Sequence, residues 1–348
     1  MLNKSYYSSL DIMKFVMALL IMLSHTQSEW ALDGSSLLHY FLAISNFGVP
    51  FFFACSGFLF FSKIKKLEDK EQEMYYRRWS LRVGKMYLAW SLIYFSFILF
   101  RWVTEGTTVF AVMAYIHKSI VVSTYPTIWF LPALWLGVSI AYFLYKRTSI
   151  ANIAILAAFL YLICSLGDSY SNVICQNAFV HKIWSWYMEW FLSFRTALFN
   201  GFPFVVVGLL LCHKPNNDSV TRPDSLLFAL FAFLYVVESV IIKTQHLSDY
   251  THSGYMLLPA TYFIMKCLIK MQIAPRPIFL ELRNLSMIIF LSQRIFLTAI
   301  PSVSTLYRLW IESLDPYSTI LILDGFILTF SLVMSFLSKR LTFLKILF

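Results

Sequence analysis

The 348-residue chain is 59% hydrophobic and only 13% charged, with 34 phenylalanines and a mean hydropathy of +0.68. A soluble core of this length cannot bury so many apolar side chains, so the composition excludes a soluble globular protein and indicates a polytopic membrane protein. The net charge of +10 arises from cations that alternate with apolar segments. A nucleic-acid-binding protein would cluster them on one solvated patch, so we expect no nucleic-acid partner.

Apolar runs of about 18 to 25 residues predict an all-α fold with ten membrane-spanning helices. The predicted spans lie near residues 10–27, 38–62, 80–101, 127–145, 149–166, 198–212, 226–243, 254–271, 284–301 and 318–338. The fourth and sixth are short, which favours tilted or broken helices. We expect one transmembrane domain over residues 1–348, with no appended soluble domain. The first span carries Lys14 and lacks a small-residue cleavage site, so we do not expect a cleavable signal peptide.

The positions of the 28 Lys and Arg residues predict the orientation in the membrane. With a cytoplasmic N-terminus, 21 of them fall on the cytoplasmic side, including eight between Lys63 and Lys85, and seven fall on the outer side. This bias follows the positive-inside rule, so both termini are expected in the cytoplasm. The Lys63–Lys85 segment also suits contact with anionic membrane lipid or with another phosphate-bearing molecule.

The cysteine spacing indicates neither disulfide bonds nor a metal centre. The five cysteines have no paired spacing, and four of them fall in or at the ends of predicted spans. We therefore expect neither a disulfide framework nor a metal site.

Asp11, Lys14 and His25 all fall in the first span. An ionisable residue at the centre of the hydrocarbon costs roughly 2.5 to 3.5 kcal/mol, so three in one span require an explanation. Lys14 and His25 are separated by three helical turns plus roughly 20°, so they share one face about 16 Å apart along the axis. This pattern predicts a polar seam that faces protein or water. An imidazole exchanges protons near neutral pH, which makes His25 a functional candidate, whereas Lys14 has the alternative of snorkelling to the headgroups.

Later polar residues in the outer halves of predicted spans allow two interpretations. Glu238, Arg294 and Asp324 either contact a substrate or neutralise one another between helices. The predicted outer loop 167–195 contains four aromatic residues beside Glu189, which form either a surface for stacking sugars or an interfacial belt. These aromatic residues are Trp184, Trp186, Tyr187 and Trp190.

Several motifs resemble, in order, those of the membrane-bound acyltransferase family 3. Lys14 and His25 have the spacing of its motif of arginine or lysine, ten residues and histidine. The stretch 47–59 resembles its second-helix segment ending in Ser-Gly-Phe-Leu, and Arg82-Val-Gly-Lys85 resembles its basic pair, with Lys85 where arginine is usual. Residues 127–131 resemble the Trp-Phe-Leu that opens its fourth helix.

Later segments are most similar to the membrane half of vancomycin-resistance serine racemases, which belongs to the same family. These segments are Leu166–Tyr170, Phe194–Phe204 and Leu285–Ser292. Two departures are the absence of the soluble racemase half and Gln293, which stands where the family often has histidine.

The resemblance implies transfer of an acyl group, usually acetyl, from cytoplasmic acyl-CoA to a hydroxyl of an envelope glycan or lipid-linked sugar. It also implies a multi-pass protein of the bacterial cytoplasmic membrane that needs no metal. The resemblance and the charged residues inside predicted spans together give candidate roles in three groups: catalytic, His25 as general base with Lys14 and Asp11; CoA-binding, Arg82, Lys85, Ser56 and Gly57; and substrate-binding, Arg195, Trp129, Glu238, Arg294 and Asp324.

Three alternatives remain open from the residues. His25 could carry the acyl group covalently rather than act as a base. Ser56 could be a small residue that permits close helix packing beside Gly57. The whole chain could instead be a carrier for a small polar solute such as an amino acid, or an inactive scaffold that retains the fold.

Overall fold

The computed structural model describes residues 7–30, 43–213, 221–248 and 252–348, and all regular structure among them is helical. The longer helices are α1 (Ser8–Trp30), α2 (Gly48–Ile64), α3 (Asp69–Glu105), α4 (Val109–Val121), α5 (Phe130–Tyr145), α6 (Ile150–Asp168), α7 (Ala178–Phe191), α8 (Phe202–His213), α9 (Arg222–Thr244), α10 (Leu257–Lys270), α11 (Pro277–Arg294), α12 (Thr305–Glu312) and α13 (Pro316–Arg340). Short α-helical turns lie at Ser171–Ile174 and Ile300–Val303, 3-10 turns at Pro126–Trp129 and Thr342–Leu347, and π-helical turns at Ala197–Gly201 and Ile295–Ala299. The predicted all-α class is confirmed.

Eight helical segments of the described chain are long and apolar enough to cross a membrane. They correspond to eight of the ten predicted spans, whereas the predicted sixth and eighth spans form the shorter helices Ala197–His213 and Leu257–Lys270. The polytopic membrane fold is therefore confirmed, while the exact number of spans and their orientation stay predictions. Residues 38–42 of the second predicted span, and Lys4 and Lys214 of the charge count, lie outside the described residues.

Several helix boundaries have local causes in the sequence. Ser149 caps α6 by accepting a hydrogen bond from the Asn152 backbone, and Asn177 caps α7 in the same way. Asp315 caps α13, and the following proline has the backbone angle that a first helical turn requires. Helix α3 runs well beyond the predicted span and ends just before Gly106, whose φ of +79° suits a residue without a side chain.

The described chain forms two compact units, one of which comprises Met1–Leu10, Asn46–Ser80 and Pro132–Arg276. Its core is the contact between α2 and α8. A Cβ at Gly57 would collide with the Val205 carbonyl oxygen, and one at Gly208 would collide with the Ala54 carbonyl oxygen. The two helices can approach this closely only because each carries glycine at the crossing. Helix α8 also packs on α6 and α10.

The second unit comprises Asp11–Ser45, Leu81–Leu131 and Pro277–Phe348. Within it α11 packs along α13, and the turn Thr342–Leu347 folds back against α13. The indole nitrogen of Trp90, on α3, donates a hydrogen bond to the Leu347 carbonyl at 3.3 Å. This unit contains His25, Lys14 and Asp11, and also most of the other predicted site residues.

Candidate active site

Helix α1 carries the three predicted catalytic residues on one uninterrupted helix, Ser8–Trp30. Its continuity preserves the expected alignment of Lys14 and His25 on one face. The Lys14 ammonium lies 3.5 Å from the Asp11 carboxylate, and both side chains are largely buried. Asp11 therefore partly neutralises Lys14 within α1.

The His25 end of α1 is attached to α13 by a buried hydrogen bond. The hydroxyl of Thr26 donates to the Asp324 carboxylate at 2.7 Å, and the two side chains are 0% and 7% exposed. His25 itself is half-buried, and its Nδ1 atom is withdrawn from solvent. Because Thr26 directly follows His25, this bond fixes the axial position and the rotation of α1 at His25.

Arg294 ends α11 and directly precedes the π-helical turn Ile295–Ala299. Its carbonyl accepts a hydrogen bond from the Thr298 hydroxyl at 3.0 Å, and that hydroxyl lies 2.9 Å from the hydroxyl of Tyr125. The Tyr125 ring stacks on Tyr94 at 4.1 Å between centroids. Turns of the π type occur often at functional sites, because the extra residue re-aims neighbouring side chains.

Trp129 closes the 3-10 turn Pro126–Trp129, which packs against α11. The Tyr94 hydroxyl, on α3, donates a hydrogen bond to the Leu291 carbonyl of α11 at 2.6 Å. The segment that resembles the family's Trp-Phe-Leu motif is thus held against the helix that carries Arg294.

Gln293 is 0% exposed, and its amide nitrogen donates to the Phe290 carbonyl of its own helix at 2.9 Å. Its Oε1 atom accepts no hydrogen bond from the described residues. The position where the family often has histidine therefore holds a polar side chain in a buried place.

Arg82 and Lys85 are exposed and one helical turn apart on α3. Between them, a Cβ at Gly84 would meet nothing within 4 Å. The two cations therefore present an open face that is accessible to an anionic group.

Two of the predicted CoA-binding residues have a packing environment in the first unit. Gly57 lies in the tight crossing of α2 and α8, and Ser56 beside it is half-buried. This geometry favours the packing interpretation of both residues.

Glu238 caps the start of α10. Its carboxylate accepts hydrogen bonds from the backbone amides of Tyr255 and Met256 at 2.7 and 2.9 Å, and from the Tyr170 hydroxyl at 2.7 Å. At the other end of the same helix pair, Asp224 binds two lysines of α10. These contacts favour a structural role for Glu238, because an anion stabilises a helix N-terminus.

Arg195 is half-buried and lines a cavity of about 190 Å³ together with Asp168, Trp184 and His252. Arg195 and Trp184 were candidates from the sequence, whereas Asp168 and His252 were not. Asp168 lies inside the 166–170 segment quoted for the family resemblance, which was its only signal, and His252 had none.

Residues 7–338 match the family described as an acyltransferase domain. The chain belongs to this family. The acyltransferase is also 25% and 21% identical to two Enterococcus faecalis proteins named amino-acid racemase, over 77% and 76% of its own length. It spans only 37% of the length of each of these relatives. No solved structure matches the acyltransferase.

The family membership confirms the predicted enzyme class, a membrane acyltransferase, and the resemblance on which it rested. Among the described residues, no group of three or more His, Cys, Asp and Glu side chains is arranged to hold a metal ion.

Proposed function

We propose that this acyltransferase moves an acetyl group from cytoplasmic acetyl-CoA to a hydroxyl of an envelope glycan or lipid-linked sugar at the bacterial cytoplasmic membrane. The observation that carries the proposal is the alignment of Lys14 and His25 on one continuous helix, whose His25 end is anchored to α13 through Thr26 and Asp324. A general base must be held in a fixed position to be effective.

In the proposed reaction, the His25 imidazole removes the proton from the acceptor hydroxyl while the hydroxyl oxygen attacks the thioester carbonyl. The carbon–sulfur bond breaks as the new ester forms, and CoA leaves as a thiolate that takes up a proton. Lys14, Arg82 and Lys85 supply cations for the CoA phosphates. Arg195, Trp129 and Arg294 remain candidates for acceptor contacts.

Radiolabelled acetyl-CoA tests this proposal with purified protein in lipid vesicles and total envelope extract as acceptor. Loss of a general base lowers rates by about 10² to 10⁴, so His25→Ala should reduce label transfer by that factor. The matched control is His246→Asn, because His246 is exposed and has a φ of 50°, which asparagine tolerates.

Transfer that persists in His25→Ala would contradict the role of His25. If folded wild-type protein bound no CoA, the acetyl-CoA donor assignment would be wrong.

A second candidate is a carrier for a small polar solute, and the name of the two relatives is the observation that favours it. Proteins named amino-acid racemase act on amino acids, and this chain matches only part of their length. Uptake of a labelled amino acid into vesicles that contain the protein, without acetyl transfer, would favour the carrier. Neither uptake nor transfer would favour the inactive scaffold, an alternative that Gln293 keeps open.

A further inference from the structure

The cavity around Arg195 lies wholly within the first unit and contains Asp168 and His252, which have no role in the proposed reaction. Its volume is about 190 Å³, and its wall combines charged, aromatic and apolar side chains. The charged and ring-bearing members are Asp168, Arg195, Trp184, Phe194 and His252.

Asp168 is the strongest indication that the cavity takes a polar ligand. The residue is 8% exposed, and its Oδ2 atom is buried and accepts no hydrogen bond from the described residues. Arg195 lies close enough to interact with it electrostatically. Ser169 and Ser253 hydrogen-bond to this carboxylate, so the donor that is still missing is the one at Oδ2. A buried carboxylate oxygen without a donor is costly, and a hydroxyl of a bound molecule would supply that donor.

The cavity wall is held in place by its surroundings. The Trp184 indole donates a hydrogen bond to the Gly167 carbonyl at 2.9 Å, and Nδ1 of His252 lies 3.2 Å from the Asn46 side-chain oxygen. Leu192, at the cavity edge, has a φ of 60°, a left-handed conformation that costs energy for a branched side chain.

The chemistry of the wall selects the class of ligand. Asp168 offers a negatively charged hydrogen-bond acceptor, and Arg195 offers a positively charged donor. The Asp168 carboxylate disfavours phosphates and other anions at this place. The indole of Trp184 provides the apolar surface against which the C–H face of a sugar packs. The volume is below the roughly 300 to 1,000 Å³ of pockets for drug-sized ligands, so it suits a single ring.

We propose that the cavity bounded by Asp168, Trp184 and Arg195 binds one uncharged sugar residue of the acceptor. This inference rests on the proposed function and names the part of the acceptor that the protein recognises. The carboxylate and guanidinium bind ring hydroxyls, and the indole covers one face of the ring.

Saturation-transfer NMR on the full chain in a sugar-free detergent tests the inference without any need for catalysis. The probes are methyl β-glucoside, methyl N-acetyl-β-glucosaminide, L-serine and inorganic phosphate, and CoA binding is measured on the same samples. Loss of a hydrogen bond to a charged group corresponds to about tenfold or more in affinity, so Asp168→Asn should weaken glycoside binding by that factor. Trp184→Leu should do the same, while Trp186→Leu is the matched control, because Trp186 lies on the same helix and is 56% exposed.

The expected result is saturation of at least one glycoside by wild type and by Trp186→Leu, with strong loss in Asp168→Asn and Trp184→Leu. Two results would overturn the inference: binding of serine or phosphate but of neither glycoside, or glycoside binding that both cavity variants retain. Absence of glycoside binding in protein that still binds CoA would also overturn it, while leaving the acetyl-CoA reaction standing. Glycoside binding without CoA binding would instead count against the proposed acetyl-CoA donor alone.

Discussion

Thr26→Val should slow acyl transfer although Thr26 takes no part in the chemistry. Valine has nearly the same shape as threonine but cannot donate the 2.7 Å hydrogen bond to Asp324. Hydrogen bonds between membrane helices contribute about 0.6 kcal/mol on average and at most about 1.7 kcal/mol. Here the change also leaves a buried carboxylate with one donor fewer, which raises the expected cost to about 1 to 2 kcal/mol.

Loss of this hydrogen bond would allow α1 to shift at His25, so its cost should appear as a lower rate of acyl transfer. A cost of about 1 to 2 kcal/mol corresponds to about a 5- to 30-fold decrease in kcat/KM for acetyl transfer. Thr26→Ser keeps the hydroxyl and should stay within about twofold of wild type. A second control is Thr261→Val, because the Thr261 hydroxyl is fully buried and, among the described residues, bonds only to the Leu257 carbonyl of its own helix.

The assay measures initial rates of label transfer at several acetyl-CoA concentrations, with folding checked by size-exclusion elution and thermal unfolding. Unchanged kcat/KM in a folded Thr26→Val variant would refute the idea that this hydrogen bond positions His25. An equal loss in Thr261→Val would show that any buried threonine hydroxyl has the same effect, which would also refute it.

Three further substitutions probe the scaffold and the donor site. Gly57→Ala should lower the free energy of unfolding by about 1 to 3 kcal/mol, because the new methyl overlaps the α8 backbone. Gly325→Ala should leave it unchanged, because a Cβ there meets nothing within 4 Å, and thermal unfolding in detergent measures both variants. Glu238→Ala should lower stability by about 1 to 3 kcal/mol, because two backbone amides at the start of α10 lose their acceptor, while Glu189→Ala at an exposed position should leave the unfolding temperature unchanged. Lys14→Met should raise the KM for acetyl-CoA several-fold with a smaller effect on kcat if Lys14 binds the donor, and Lys14→Arg should restore it; equal KM values would contradict that role.

The helices were predictable because their signal is long and repeated. Apolar runs near 150–168 and 316–340 are long enough to cross a bilayer core, and their polar ends carry capping residues such as Ser149 and Asp315. Helices α4 and α7 were missed, because both are shorter than a membrane-spanning run and neither has a buried residue. Their exposed apolar faces gave no pattern of burial to predict.

The candidate site was less predictable, because its decisive contacts join residues far apart in sequence. Helical spacing placed Lys14 and His25 on one face, but no spacing rule connects Thr26 with Asp324, which lie 298 positions apart. The carboxylate of Glu238 was recognised as costly in a membrane, yet its role as a helix cap depends on where α10 begins. Composition and periodicity therefore identify which polar residues need a partner, and tertiary packing decides which partner they obtain.

The two π-helical turns connect these observations. Arg195 lies two residues before the turn Ala197–Gly201, and Arg294 lies directly before the turn Ile295–Ala299. A π turn inserts one residue into a helix and leaves an ordinary hydrogen-bond position unused, so it persists only where the surrounding packing compensates for it. Propensity does not reveal such turns. The family resemblance drew attention to Phe194–Phe204, and the cost of a charge inside a predicted span drew attention to Arg294. Each arginine thus stands at a π-helical turn, one in each unit. This position favours a ligand-binding role for both arginines over a role in which they only neutralise buried carboxylates.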